Sequence, residues 1–275
     1  MLKMLDVLWD IIVNETEFLL KKEPLLSKLY NKYIFQCNNL KESIINIIAD
    51  QLSDAIVSHD MLYNICNKSC ISHPIIIEHA SADLQSIYTH DPSVNSYVIP
   101  LLYFKGFHAL QAYRIAHYLW NNNQKSLALY LQYQISKLLS VDIHPAAIIG
   151  SGVMFDHATG IVIGETVVID NNVSIFQSVT LGGTGKKMGD RHPKIRSEVV
   201  IGAGAKILGN IEIGFASKIG AGSVVLNSIP AYATAVGIPA KIVNIYNKHF
   251  YHMTNNHGIS SIRPIECTYE QGAGI

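Results

Sequence analysis

Residues 201–225 read IGAGAKILGNIEIGFASKIGAGSVV and place a large apolar residue at every sixth position. The same period extends over residues 143–238, and half of its lead residues are followed by Gly. The leads are Ile143, Ile149, Phe155, Ile163, Ile169, Ile175, Leu181, Ile201, Ile207, Ile213, Ile219 and Val225. A period of six fits neither a helix nor a long alternating strand. It predicts short strands joined by tight corners and stacked as a solenoid, with the leads pointing inward.

The period has two interruptions. Between Phe155 and Ile163 the spacing is eight residues, so the register slips by two across residues 156–160. Between Leu181 and Ile201 it is twenty, and the residues between them show no six-residue pattern. A solenoid can extrude a loop without disturbing its core, and loops on a rigid scaffold often carry function. Both interruptions are rich in His, Asp, Arg and Gly, so we expect the chemistry there.

Residues 1–139 are predicted to form an all-α domain. Apolar residues recur at helical spacing over residues 5–19 and 40–56. Two further helices are predicted at residues 104–120 and 126–139, separated by a run of three Asn residues.

Within the helical domain, Ser81 is also predicted to be the N-cap of a short helix. The remaining chain completes an α+β architecture. The solenoid domain is expected to span residues 140–242, and residues 243–275 are expected to be a flexible C-terminal tail.

Composition restricts the classes of function. The chain has 275 residues, of which 49% are apolar and 15% charged, and its 21 basic residues balance its 21 acidic ones. A net charge of zero gives no electrostatic basis for binding nucleic acid. The four Cys residues show no paired spacing, and neither a signal peptide nor a membrane-spanning run is evident. These features predict a soluble cytoplasmic protein.

Two other kinds of site fit the sequence poorly. Residues 182–186 read GGTGK, but a nucleotide-binding P-loop needs Gly, four residues, then Gly-Lys-Ser/Thr before a helix. Here Lys187 and Met188 follow, and no helix is predicted. A zinc site would need histidines on neighbouring coils with a close pair. His144, His157 and His192 lie 13 and 35 residues apart and provide no such pair. We therefore predict no metal site.

The two interruptions carry residues suited to an amino-acid-like substrate. His157 can take a proton near neutral pH, and a His base needs a carboxylate to fix its tautomer. Asp142 lies fifteen residues earlier, close to one coil of three hexads, and is within reach. Arg191 offers a bidentate grip for a carboxylate, and Asp156 offers a partner for an ammonium group. The alternative interpretation of Asp156 and His157 is a structural corner capped by a carboxylate.

Several segments together resemble the serine O-acetyltransferase family. They are DIHPAA at 142–147, DHATG at 156–160, LGGTGK at 181–186 and GDRHPKI at 189–195, with Asp91-Pro92 and KGFHALQAYR at 105–114 in the helical region. The resemblance covers nearly the whole chain. It implies a left-handed parallel β-helix with three hexads per coil, a hand that periodicity alone does not give.

The resemblance also implies an activity, which is acetyl transfer from acetyl-CoA to the hydroxyl of L-serine in the first step of cysteine biosynthesis. It assigns His157 as general base and Asp142 as the residue that orients it. The implied substrate residues are Asp91 and Asp156 for the ammonium group, Arg191 for the carboxylate, and His192 beside the reacting hydroxyl.

The same resemblance implies ligands and partners. Acetyl-CoA would be a co-substrate, with no permanently bound cofactor. Its implied groove is lined by Gly183, Thr184, Ala203, Ala221, Lys218 and Lys241. The family forms trimers or dimers of trimers, is inhibited by cysteine, and binds O-acetylserine sulfhydrylase through a C-terminal isoleucine, here Ile275. Two alternatives remain open, an acetyltransferase for another small acceptor and a non-catalytic scaffold that binds a partner.

Overall fold

The structure is a computed structural model that describes residues 2–185 and 188–246, without the side chains of residues 2–4. Helices fill the first half of these ranges and short strands fill the second half. The helices are α1 (Leu2–Lys22), a 3-10 turn (Pro24–Leu26), α2 (Ser27–Tyr30), a π-helical turn (Asn31–Phe35), α3 (Leu40–Leu52), α4 (His59–Ser72), α5 (Ile75–His90), α6 (Val98–Tyr103), α7 (Lys105–Asn121) and α8 (Lys125–Leu139). The strands are β1 (Val141–Ile143), β2 (Ile148–Ile149), β3 (Met154–Phe155), β4 (Ile161–Ile163), β5 (Val168–Ile169), β6 (Ser174–Ile175), β7 (Thr180–Gly182), β8 (Lys194–Ile195), β9 (Val200–Ile201), β10 (Lys206–Leu208), β11 (Glu212–Ile213), β12 (Lys218–Ile219), β13 (Val224–Val225), β14 (Ala233–Gly237) and β15 (Ala240–Ile245).

The helical part agrees with the sequence in most places. The two helices predicted before the solenoid begin and end within one residue of α7 and α8. The prediction for Ser81 was wrong, because Ser81 is buried in the middle of α5 rather than capping a helix. That helix begins instead after Pro74, whose ring fixes a backbone angle that suits a helix start.

The strands form a parallel solenoid with three sheets, as predicted. The first sheet has the order β1-β4-β7-β10-β13, the second β2-β5-β8-β11, and the third begins β3-β6-β9-β12-β14. One strand from each sheet makes a coil, so the described residues form about five coils. All twelve lead residues are buried. Ile195 is a further lead that the sequence analysis missed, and it returns the chain to register after the extruded loop.

The two-residue slip is an insertion at the corner between the third and first sheets. At this corner a column of residues with positive φ stacks from coil to coil, and each member after the first donates its amide to the coil before. The column comprises Ser140, Gly160, Ser178, Gly204 and Gly222, whose φ angles lie between 59° and 77°. Its members normally stand three residues after a lead, but Gly160 stands five after Phe155.

The extra length forms the inserted corner, residues 156–160. His157 and Ala158 within it both adopt the left-handed conformation, at φ 54° and 61°. For residues other than Gly this costs about 1–3 kcal/mol each, and such strain persists mainly at functional sites. Single left-handed residues such as Ser140 and Ser178 also occur at ordinary corners, but the inserted corner places two in succession, and this marks it as unusual.

Helix α7 covers the open end of the first coil. That coil has no coil beneath it, so its carbonyl groups need donors from elsewhere. Side chains of α7 supply them: Tyr113 Oη donates to Ala147 O, Arg114 to Ile149 O at 3.2 Å and Gly150 O at 2.7 Å, and His117 Nδ1 to Pro145 O at 2.7 Å.

A buried ion pair fastens this cap. Asp83 of α5 is 0% exposed and Arg114 is 5% exposed, and Arg114 Nη2 donates to Asp83 Oδ2 at 2.7 Å. The same carboxylate accepts the amide of Val153 at 2.9 Å and Gln111 Nε2 at 3.0 Å. Because buried charges are tolerated only when paired and hydrogen-bonded, these contacts fix two helices and the corner before β3 together.

The C-terminal end of the described chain differs from the expected boundary. Strand β15 pairs antiparallel with β14 and extends to Ile245, beyond the expected end of the solenoid domain at residue 242. Antiparallel pairing needs no six-residue lead, so the hexad pattern could not indicate it. The predicted flexible tail beyond residue 246, with Ile275, lies outside the described residues. None of the described helices has the length and apolarity of a membrane span.

Candidate active site

A cleft of about 480 Å³ lies where the helical region meets the inserted corner. Its walls come from the loop after α5, the junction of α6 and α7, and the end of β3. Four of the lining residues have acidic or basic side chains, namely Asp91, Lys105, Asp156 and His157. The structure thus brings three of the predicted site residues together in one cleft.

Two carboxylates in the cleft interact with each other. Burial raises the pKa of Asp156 above its ordinary value, and the negative charge of Asp91 raises it further, while His157 acts in the opposite direction. Asp91 is held by its own loop, because its Oδ1 accepts the Ser93 amide at 2.9 Å and the Ser93 hydroxyl at 2.7 Å. Two carboxylates that line one cleft form a ready site for a cation.

His157 points into open space. Its side chain is 76% exposed, and its Nε2 lies 3.7 Å from Asp156 Oδ1. The predicted contact with Asp142 is not formed in this chain, since Asp142 Oδ1 accepts a hydrogen bond from Gln132 Nε2 of α8 at 2.7 Å. Asp142 lies in the middle of β1, between two inward-facing residues, and therefore faces the helices. Its role in orienting His157 stays a prediction.

A second group, here called the loop cluster, comprises Glu165, Thr166, Arg191 and His192. Arg191 Nη2 donates to Glu165 Oε2 at 2.7 Å, and Arg191 Nη1 donates to Gly189 O at 3.1 Å. The ion pair with Arg191 lowers the pKa of Glu165 below its ordinary value. The guanidinium is therefore oriented before any ligand binds.

His192 has a defined proton position. Its Nδ1 accepts the amide of Thr166 at 3.2 Å, so the proton of the neutral ring belongs on Nε2. Burial, followed by the positive charge of Arg191, lowers the pKa of His192, so the ring is neutral at physiological pH. A Cβ on Gly164 would lie 2.2 Å from His192 Nε2, so only Gly fits beside this ring. His192 can thus donate an N–H to an oxygen atom.

The cleft and the loop cluster lie at different corners of the solenoid. The inserted corner connects the third sheet to the first, whereas Glu165 and Arg191 lie in connections from the first sheet to the second. The predicted ammonium and carboxylate residues therefore do not converge within one chain.

The predicted CoA residues are divided in the same way. Ala203 and Ala221 follow His157 along the corner between the third and first sheets, while Gly183 and Thr184 begin the extruded loop at the other corner. The two predicted lysines, Lys218 and Lys241, lie on β12 and β15. Burial lowers the pKa of Lys218, and Lys241 is exposed.

The histidines weighed as zinc ligands are also divided. His144 lies on the first-to-second corner with His192, whereas His157 lies in the cleft. His144 Nδ1 accepts the Ala146 amide at 3.1 Å, and its ring packs edge-on against Trp120. Over residues 2–185 and 188–246, no three His, Cys, Asp or Glu side chains are grouped to hold a metal ion.

Sequence reasoning missed Lys105, Glu165 and Thr166. In the sequence Lys105 is notable only as the first residue of the KGFHALQAYR segment, and it lines the cleft because α7 begins there. A signal for the other two was present. They occupy the same corner as the extruded loop, one coil earlier in the hexad register.

Comparisons with known proteins agree with this geometry. A family model described as "Serine acetyltransferase, N-terminal" matches residues 8–112. The serine acetyltransferase of Haemophilus influenzae is 56% identical over 240 residues, which are 87% of this chain and 90% of that protein. The chain belongs to the serine acetyltransferase family. The resemblance drawn from the sequence is thereby confirmed, and the family is one of acyltransferases.

Other serine acetyltransferases extend the match. The enzyme of Escherichia coli is 49% identical over 271 residues, or 98% of each chain. A solved serine acetyltransferase in complex with cysteine is 56% identical, with a TM-score of 0.85, and covers 86% of this chain and 98% of its own. The serine acetyltransferase of Brucella abortus in complex with coenzyme A is 45% identical, with a TM-score of 0.87 over 90% of this chain and 98% of its own.

Proposed function

We propose that this chain transfers the acetyl group of acetyl-CoA to the hydroxyl of L-serine, giving O-acetyl-L-serine and CoA in the first step of cysteine biosynthesis in the cytoplasm. The observation that carries this proposal is the cleft in which Asp91, Asp156 and His157 meet, in a member of the serine acetyltransferase family. The relative solved with coenzyme A supports acetyl-CoA as the donor.

In the proposed reaction His157 removes the proton of the serine hydroxyl as the oxygen attacks the thioester carbonyl. The tetrahedral intermediate then collapses, the carbon–sulfur bond breaks, and the CoA thiolate takes the proton back from the imidazolium of His157. A positioned base contributes about 10²–10⁴-fold to such a step. Asp142 would fix the ring of His157, and the Nε2–H of His192 would stabilise the oxygen that becomes negative.

The residues that bind serine would be divided between two chains. Asp91 and Asp156 would bind the serine ammonium group and Arg191 its carboxylate, but these groups lie at different corners of one solenoid. Copies packed side by side around a threefold axis would bring one chain's inserted corner against its neighbour's loop cluster. We therefore propose a homotrimer, or a dimer of such trimers.

The proposed CoA groove uses the same packing. Coils in a parallel solenoid are about 4.8 Å apart, which places Ala203 about 10 Å and Ala221 about 14 Å from the level of His157. An extended pantetheine arm would span this distance, with Gly183 and Thr184 on the facing wall. Lys218 and Lys241 would then meet the phosphates.

Two regulatory roles complete the proposal. Cysteine differs from serine only by sulfur in place of oxygen, and one relative has been solved with cysteine, which supports feedback inhibition at the serine site. Ile275 would bind O-acetylserine sulfhydrylase.

An acceptor panel tests the activity. The purified protein is given acetyl-CoA with serine, its methyl ester, 3-hydroxypropionate or an amino sugar, and the release of CoA thiol is measured. We expect serine to be preferred over the ester and 3-hydroxypropionate by about 10–100-fold in kcat/KM, because each lacks one charged group worth about 1.5–3 kcal/mol. A faster rate with the amino sugar would show a different acceptor, and no release with any acceptor would support the non-catalytic scaffold.

The raised pKa of Asp156 predicts a pH dependence. Asp156 takes up a proton at a higher pH than an exposed Asp, so KM for serine should rise as the pH falls through that pKa. Asp156→Asn should raise KM for serine at neutral pH by about 10–100-fold and abolish this further rise. Because its pKa is raised in the folded state, ionised Asp156 destabilises the fold above that pKa, so the variant should unfold at a higher temperature.

The control for this prediction is Asp60→Asn, since the side chain of Asp60 is 93% exposed on α4 and should affect neither quantity. A loss of thermal stability in Asp156→Asn would contradict the assigned direction of the pKa shift.

A further inference from the structure

Within the described chain, the middle of the inserted corner, His157 and Ala158, makes no backbone hydrogen bond to a neighbouring coil. The amides of Ala158 and Thr159 donate to Asp156 O and His157 O, which lie within the corner itself. The hydrogen bonds to neighbouring coils come at its two ends, where Asp156 donates to Ile175 O at 2.9 Å, Gly160 donates to Ser140 O at 2.7 Å and Ser178 donates to Thr159 O at 2.8 Å. Since His157 and Ala158 are also strained, something beyond the solenoid is needed to hold the base in one place.

The start of α7 supplies two contacts with this corner. A Cβ on Gly106 would lie 2.2 Å from Phe155 O and 3.0 Å from the Ala158 Cβ, so helix and corner touch without clearance. Next to it, Lys105, which lines the cleft, donates a hydrogen bond from Nζ to Thr159 Oγ1. One contact is steric and the other is polar, and together they flank His157.

The charge of Lys105 is not directed at the carboxylates of the cleft. Within the described chain Lys105 forms no ion pair with Asp91 or Asp156, and its side-chain hydrogen bond is to Thr159. Lys105 therefore acts on the corner through the hydroxyl of Thr159 rather than by neutralising the ammonium-binding pair.

We infer that Lys105 is a positioning residue for acetyl transfer, which holds Thr159 and thereby fixes the backbone that carries His157. The inference rests on the proposed function, because it assigns His157 as the base. A base displaced by about 1 Å can lose about 10²-fold in rate, so even a single polar tie at this place affects turnover.

A double-mutant cycle tests the inference in the full-length protein. We expect Lys105→Met and Thr159→Val each to lower kcat by about 10-fold, with KM for serine and acetyl-CoA changed less than about 2-fold. The double variant should lose no more than either single variant, because both remove the same contact. Lys105→Arg, which can still donate to Thr159, should recover most of kcat.

The matched control is Lys41→Met. Lys41 also lies at the start of a helix and donates to a side-chain oxygen, that of Asn67 at 3.0 Å, but it does not line the cleft. We expect its kcat to be unchanged. Unchanged kcat in Lys105→Met, losses that multiply in the double variant, or a rise in KM for serine in place of the loss in kcat would each overturn the inference.

A second measurement keeps the inference separate from the proposed function. Amide hydrogen exchange over residues 156–160 should be faster in Lys105→Met and Thr159→Val than in the wild type and in Lys41→Met. Absence of acetyl transfer by the wild type would refute the proposed function alone. Equal exchange in all four proteins would refute the role of Lys105 in holding the corner.

Discussion

His157→Asn is expected to lower kcat for serine acetylation by about 10²–10⁴-fold, the contribution typical of a positioned general base. Asn is the informative replacement because it tolerates the left-handed backbone that His157 adopts at φ 54°. It removes the base without adding the strain that Ala would bring. Initial rates of CoA thiol release, measured with saturating serine and acetyl-CoA, give the value of kcat.

The control for this variant is His59→Asn, which alters a partly exposed histidine of α4 away from the cleft. It should retain full turnover. Thermal unfolding of His157→Asn should match the wild type, since the ring is largely exposed and makes no side-chain hydrogen bond in the described chain. Turnover within about 3-fold of the wild type would exclude His157 as the general base.

Asp83→Ala is expected to lower the free energy of unfolding by about 3–5 kcal/mol, the cost of removing one partner from a buried ion pair. The substitution leaves Arg114 charged and buried, and it removes the acceptor of the Val153 amide and of Gln111 Nε2. Urea unfolding followed by circular dichroism measures the change. Asp83→Asn, which keeps the shape and one acceptor oxygen, should give an intermediate loss if the Ala variant does not fold.

An exposed pair provides the comparison. Asp170 Oδ2 lies 3.7 Å from Arg196 Nη1, and both side chains are more than a third exposed. Removing this ion pair by Asp170→Ala should lower the free energy of unfolding by less than about 1 kcal/mol. Equal losses from Asp83→Ala and Asp170→Ala would show that the cap of α7 on the first coil contributes little to stability.

The repeat allowed most of the solenoid to be predicted, because a lead every six residues reports burial directly. Ile195 was not predicted as a lead because the extruded loop before it interrupts the six-residue spacing. The residue itself is buried like the other leads. Strand β15 was not predicted because its residues 240–245 pair antiparallel with β14 and show no six-residue period. Ser81 was misread because a Ser can cap a helix or be buried inside one, and burial depends on tertiary packing.

The candidate site was predictable in its residues more than in its arrangement. The slip at Asp156 and His157 marked the inserted corner, and the structure explains the slip as two added left-handed residues. Spacing suggested that Asp142 would reach His157, but spacing does not reveal which way a strand residue faces, and Asp142 faces Gln132. The roles of Lys105 and Gly106 depend on where α7 begins relative to β3, which is a contact distant in sequence.

Helix α7 also has a consequence for the open edge of the solenoid. A parallel solenoid has unpaired strand edges at its ends, and such edges invite further strands to add and form fibres. Here the donors of α7 already occupy the carbonyl groups of the first coil. Growth end to end is blocked on that side, which leaves the flanks of the solenoid for the contacts of the proposed trimer.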